Sequence, residues 1–299
     1  MQTRKHEKEL FYAGYQFIDI EDHANETIFP LLVMYPTHME EKVEKMGPYT
    51  LNVAQGAPLS DGEFPLVIIS HGDESTPLVY RTISQFLARN GFIVGIPQHP
   101  FNNREDNTLS GTVDNLKNRP NHIRTVIDWF LKESFFSPSI TPNTVSLIGH
   151  SMGGYTALAI VGGVPTSFPH ESSDQKSYCL SVDQDKRIQS LILLAPATGW
   201  FREKRALEDV NVPILMITGE KDTITPSFHS EFVLNGVPNL KKVQHKVVKN
   251  GGHFSFLSPF PDSMKSSTFL PSHDPEGFNR KEFHKNLQND ILNFLLDSL

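Results

Sequence analysis

Gly149-His150-Ser151-Met152-Gly153 sets a hydroxyl between two glycines, each two residues away. That G-x-S-x-G spacing suits a serine on a sharp strand-to-helix turn, where a larger neighbour would clash and the hydroxyl is presented as a nucleophile. A buried strand pattern enters at Thr144 to Ile148, and a helix pattern leaves from Gly153. The N-terminus of that helix would turn its unpaired N–H groups, Met152 first, toward a developing oxyanion. The plainer alternative is a serine that merely caps a helix.

A serine alcohol needs a base, and the base needs a group to orient it. For this elbow the expected chain order is serine, acid, histidine. Gly219-Glu220-Lys221-Asp222 follows the strand pattern Pro213 to Thr218, at the end of a parallel strand where catalytic groups belong. Asp222 is the expected orienting acid; Glu220 competes, and Asp222 could instead be an ordinary turn residue. Lys249-Asn250-Gly251-Gly252-His253 follows the next strand pattern. Its glycines let the loop approach closely, which makes His253 the expected general base among 13 histidines. His150 adjoins the serine but should point elsewhere, and His71 and His99 are packing or pocket residues. The second oxyanion donor should come from the loop after an earlier strand, and the N–H of Asp73 is the candidate. The Asp73 carboxylate would then have to point away from the negative charge.

Short apolar runs alternate with amphipathic stretches, as in βαβ units. The strand patterns are 64–70, 92–97, 144–148, 188–194, 213–218 and 243–249; 12–20 and 28–34 alternate loosely and suit antiparallel edge strands. Helix patterns cover 78–90, with Gly91 as its cap, 120–133, 155–161 and 283–299. The expected fold is α/β, a doubly wound, mostly parallel sheet in one domain over 1–299. Two segments fit neither period, 164–187 and 257–279, and read as lid-like insertions.

Composition narrows the classes. The 27 basic and 34 acidic residues leave a net charge of −7, which argues against a nucleic-acid partner. One cysteine, Cys179, forms no internal disulfide and supports neither a Cys-rich zinc site nor an oxidising compartment. The N-terminus 1–9 is charged and lacks a leader's apolar stretch, and no run of about 18 apolar residues exists. The expectation is a cytoplasmic protein without a membrane span, its oligomeric state unread. No P-loop, G-x-G-x-x-G or H-E-x-x-H pattern occurs, so neither a nucleotide, a metal nor any other cofactor is expected.

With these residues in place, the chain resembles an α/β-hydrolase over nearly its whole length. Segments 65–72, 87–94, 97–100 and 118–123 are similar to one subgroup, the bacterial predicted dienelactone hydrolases and the platelet-activating-factor acetylhydrolases. The resemblance implies a serine esterase without metal, using Ser151, Asp222 and His253. Ser151 stands where true dienelactone hydrolases carry cysteine, and the loop after Gly72 reads Asp73-Glu74-Ser75-Thr76 rather than further small residues.

The expected activity is hydrolysis of a small-molecule carboxylic ester through an acyl-enzyme. The same residues would serve an amidase, peptidase, thioesterase or acyltransferase, and a non-catalytic binding module on this fold is the third class. Phe254, Phe256, Leu257, Phe260, Trp200 and Phe201 lie beside the expected site. They would make the acyl or alcohol part apolar if they line its mouth, and are otherwise ordinary core.

Overall fold

The computed structural model describes residues 11–23 and 26–299. The charged N-terminal segment 1–9, with the expectation attached to it, lies outside them. The strands are β1 (Tyr12–Asp22), β2 (Thr27–Thr37), β3 (Lys42–Met46), β4 (Tyr49–Gln55), β5 (Leu66–Ser70), β6 (Ile93–Pro97), β7 (Val145–His150), β8 (Ile188–Leu194), β9 (Ile214–Gly219) and β10 (Val243–Val248). They form one sheet in the order β10-β9-β8-β7-β5-β6-β2-β1-β4-β3. From β10 across to β6 every pairing is parallel, and β2 joins β6 antiparallel.

Helices cover both faces: α1 (Arg81–Arg89), α2 (Val113–Asp128), α3 (Met152–Ile160), α4 (Phe228–Gly236) and α5 (Arg280–Ser298). β5 shows why its residues are nearly all apolar. Leu66 and Ile68 enter the core under α2 and α3, while Val67 and Ile69 enter the core under α1 and α5. A strand buried on both faces has no polar side to alternate with. The chain leaves β5 toward β6 and then crosses back to β7. The strand order thus reverses beside β5, and an open α/β sheet forms its binding crevice at such a reversal, off the carboxyl ends of the strands.

The doubly wound, mostly parallel sheet agrees with the sequence expectation, and four differences have physical causes. β1 and β2 are antiparallel as expected but are not edges, because the hairpin of β3 and β4 extends the sheet beyond them. That hairpin turns at Gly47, whose φ of +58° suits glycine, and buries Tyr49, Leu51 and Val53 in strict alternation. α2 begins at Val113 rather than at Pro120, with the Thr112 side chain accepting the Asn115 N–H at its N-cap. Pro120 therefore sits mid-helix, where its missing N–H would leave the Leu116 carbonyl unpaired. The Tyr155 hydroxyl of α3 donates to that carbonyl at 2.9 Å and fills the gap. α4 matches no sequence expectation.

At Gly91 the expected cap is present: φ is +87°, and the N–H groups of Gly91 and Phe92 close onto the carbonyls of Ala88 and Leu87. Among the described residues no helix is long and apolar enough to cross a membrane.

Candidate active site

β7 ends and α3 begins at Ser151, whose backbone lies at φ 53°, ψ −117°, a strained conformation for a side-chain-bearing residue. The flanking glycines are sterically required. A Cβ on Gly149 would lie 2.2 Å from the Gly153 carbonyl oxygen, and one on Gly153 would lie 1.9 Å from that of Ser70. The turn thus presses α3 directly onto β5 and β7. Met152 is the first residue of α3, so its N–H has no acceptor within the helix. The whole of α3 is buried, which keeps its terminal dipole unscreened by water.

The loop after β5 comes up against the serine. A Cβ built on Gly72 would lie 3.3 Å from the Ser151 Cβ, and Asp73 lines both cavities that Ser151 borders. The Asp73 carboxylate has partners of its own. It accepts from the Asn102 amide and from the Ser110 hydroxyl at 3.0 and 3.1 Å. Asn102 in turn accepts from the fully buried Arg119 at 2.6 Å. Arg119 also donates to the Thr156 hydroxyl of α3 at 3.0 Å and to the His71 carbonyl, tying the loop to α2 and α3. Burial draws its pKa down to about 9, with the negative charge of Asp73 opposing.

Asp222 and His253 meet. The His253 Nδ1–H donates to Asp222 Oδ2 at 2.9 Å, which leaves Nε2 as the ring's acceptor. Asp222 also accepts the N–H groups of Ile224 and Thr225 at 2.9 and 2.8 Å, and the Thr225 hydroxyl at 2.7 Å. Burial pushes the Asp222 carboxyl up, but His253 and the Thr225 donors outweigh it and hold the carboxyl below its usual range. Glu220, the competitor, is engaged elsewhere, accepting the Asn250 N–H at 2.8 Å and so steadying the loop that carries His253.

His253 and Ser151 line the same cavity, of about 230 Å³, although the serine hydroxyl makes no hydrogen bond among the described residues. Such bonds often tighten only when substrate arrives. The other cavity beside Ser151, of about 320 Å³, is walled by Met152, Leu116, Phe168, Glu171 and Trp200. Segment 164–187 thus contributes to one cavity, and segment 257–279 contributes Leu257 and Pro271 to the other. Of the aromatic and apolar residues singled out in the sequence, Phe254, Leu257 and Trp200 border these cavities; Phe256, Phe260 and Phe201 are buried in the cores.

Sequence reasoning missed several neighbours. Thr225 touches both Asp222 and His253, its hydroxyl 3.1 Å from Nδ1, and only its place three residues after an aspartate hinted at this. His150, expected to point away from the serine, does so. Its Nε2–H donates to the His253 carbonyl at 3.1 Å, and its Nδ1 accepts from Tyr80, whose hydroxyl takes the Gly72 N–H. The loop after β5 and the His253 loop are therefore braced against each other through two side chains. His71 and His99 are fully buried; the His71 Nδ1–H donates to the Gly72 carbonyl, and its Nε2 accepts the His99 N–H.

A model of the chlorophyllase family matches residues 31–178. A bis(hydroxyethyl) terephthalate hydrolase of Streptomyces coelicolor (strain ATCC BAA-471 / A3(2) / M145) is 25% identical over 197 residues, 66% of this chain and 52% of that protein. The chain thus spans about half the length of that curated relative. A solved ferulic acid esterase from Streptomyces cinnamoneus superposes with a TM-score of 0.67 at 15% identity, covering 99% of this chain and 92% of the esterase. The chain has the α/β-hydrolase fold.

Proposed function

We propose that the protein is a serine hydrolase that cleaves a carboxylic ester through an acyl-enzyme, acting as one domain. The observation that carries this reading is the Asp222–His253 hydrogen bond of 2.9 Å beside a strained Ser151 on the same cavity wall. Ser151 Oγ attacks the ester carbonyl carbon while its proton passes to His253 Nε2. Asp222 holds the ring with Nδ1 protonated and stabilises the imidazolium. The carbonyl oxygen, now negative, takes the N–H groups of Met152 and Asp73. The carbon–oxygen bond to the alcohol breaks, and the His253 proton leaves with the alcohol. Water then attacks the acyl-serine, giving its proton to His253, and the acid departs as Ser151 recovers its hydrogen. The names of the two relatives, both of which act on esters, support an ester over an amide or thioester.

A fluorophosphonate should form a stoichiometric adduct at Ser151, mapped by peptide mass. Ser151→Ala should lower kcat on short p-nitrophenyl esters by at least about 10³-fold. Full activity in that variant would end this reading.

A further inference from the structure

The two cavities at Ser151 differ in a way that orients the substrate. In the tetrahedral intermediate the leaving oxygen must face His253, which protonates it, and the oxyanion must face Met152 and Asp73. The alcohol therefore lies in the cavity that His253 lines, and the acyl chain turns into the cavity beneath Met152. This rests on the serine-hydrolase reading above.

Glu171, Asp73 and His170 line the acyl cavity, with no Lys or Arg in its wall. Glu171 is 6% exposed, and its carboxylate accepts only from Trp200 Nε1, at 2.9 and 3.0 Å, and from the Phe168 N–H at 2.6 Å. No ion pair reaches it among the described residues. Arg202, which stands over the Phe168 ring, is engaged with the carbonyls of Thr166, Ser167 and Gly199 and with Glu203. Asp73, the other carboxylate of the cavity, differs, because Asn102 links it to Arg119. Buried carboxylates are ordinarily paired, so Glu171 leaves a negative field in a partly apolar chamber. Glu171 and Thr112 also stand on the wall of an adjoining groove of about 790 Å³. A chain extending from the serine would pass Glu171 on its way out.

The geometry points to the Met152-side cavity as the acyl site, with Glu171 selecting acyl groups that carry a cationic nitrogen. A cation there meets the unpaired carboxylate against the indole of Trp200. An acyl chain ending in a carboxylate meets repulsion.

The test uses three p-nitrophenyl esters of matched length: γ-trimethylammoniobutyrate, its uncharged carbon isostere, and the glutaric hemiester. The cationic ester should exceed the isostere in kcat/KM by about tenfold, and the hemiester should fall below it by a similar factor. Glu171→Gln keeps an acceptor for Trp200 and Phe168 but removes the charge, so the cationic-to-isostere ratio should fall to about one. A second pair, choline butyrate and its carbon isostere, moves the charge to the alcohol, and its ratio should be the same in both proteins. The proposal is overturned by a wild-type acyl ratio at or below one, by a ratio that Glu171→Gln leaves unchanged, or by a shift in the alcohol pair instead. Fluorophosphonate labelling separates the levels. An unlabelled wild type defeats the serine-hydrolase reading itself, whereas labelling with a flat acyl series defeats only the assignment of Glu171. Where the variant fails to label, the wild-type series decides.

Discussion

At Ser151 the strained backbone depends on what its neighbours lack. Gly153→Ala would drive a methyl into the Ser70 carbonyl, 1.9 Å away, and lift α3 off β5. We expect a loss of about 3 kcal/mol or more in urea unfolding, together with loss of fluorophosphonate labelling. Asp222→Asn leaves the shape but disturbs the His253 tautomer, and kcat should fall by about 10⁴-fold with KM little changed. Thr225→Val removes one donor to the Asp222 carboxylate and a neighbour of His253 Nδ1. It should lower kcat by about tenfold, read in the same steady-state assay. The meeting of Asp222 with His253, and the cavity that His253 shares with Ser151, were legible because each residue sits in a short glycine-marked loop after a strand pattern. Thr225 and Glu171 were not, since nothing in their own spacing says what they touch. Thr225 touches a ring 28 residues away, and Glu171 an indole 29 residues away.

Among the elements, α2 and α3 are joined by the Tyr155–Leu116 hydrogen bond besides that of Arg119 to Thr156, and neither sequence segment announces it. Tyr155→Phe would strip the Leu116 carbonyl of its donor while Pro120 still withholds the helical one. The cost should be about 1–3 kcal/mol in chemical denaturation. Adding Pro120→Ala should restore part of that stability, because an alanine N–H can reach the same carbonyl. A simple additive loss in the double variant would refute the pairing. Pro120 misled the sequence reading because proline is favoured in the first turn of a helix, and the true start at Thr112 lies among polar residues. The β3–β4 hairpin, by contrast, carried a usable signal in Tyr49, Leu51 and Val53 around a Gly-Pro turn. α4 carried none, since it buries only Ser230 and Val233 and so has no apolar stripe.

For the molecule as a whole, buried histidines set the response to acid. Burial lowers the pKa of His71, His122 and His150 to about 3 each, and of His229 and His284 to about 4. In the unfolded chain each would titrate near about 6.5, so below that pH the unfolded state binds more protons than the folded one. Stability contributed by the neutral rings is present in full above about pH 6.5 and falls as the pH drops toward 4, by up to about 1.4 kcal/mol for each pH unit at the well-buried His71, His122, His150 and His284, and by less at the partly exposed His229, which solvent screens. Melting temperature should therefore decline steadily between pH 7 and pH 5; a flat profile would show that these rings are solvated. The arrangement of the sheet has a further consequence. Ser151 rises from β7, buried throughout, but His253 hangs from β10, the half-exposed edge strand that pairs, among the described residues, with β9 alone. Edge strands open at lower free energy than central ones. On heating, His253 should part from Ser151 while the interior is still intact. If the proposed hydrolysis holds, its working temperature is bounded by the margin of the sheet rather than its centre, with the proposed activity lost reversibly some degrees below the global melt.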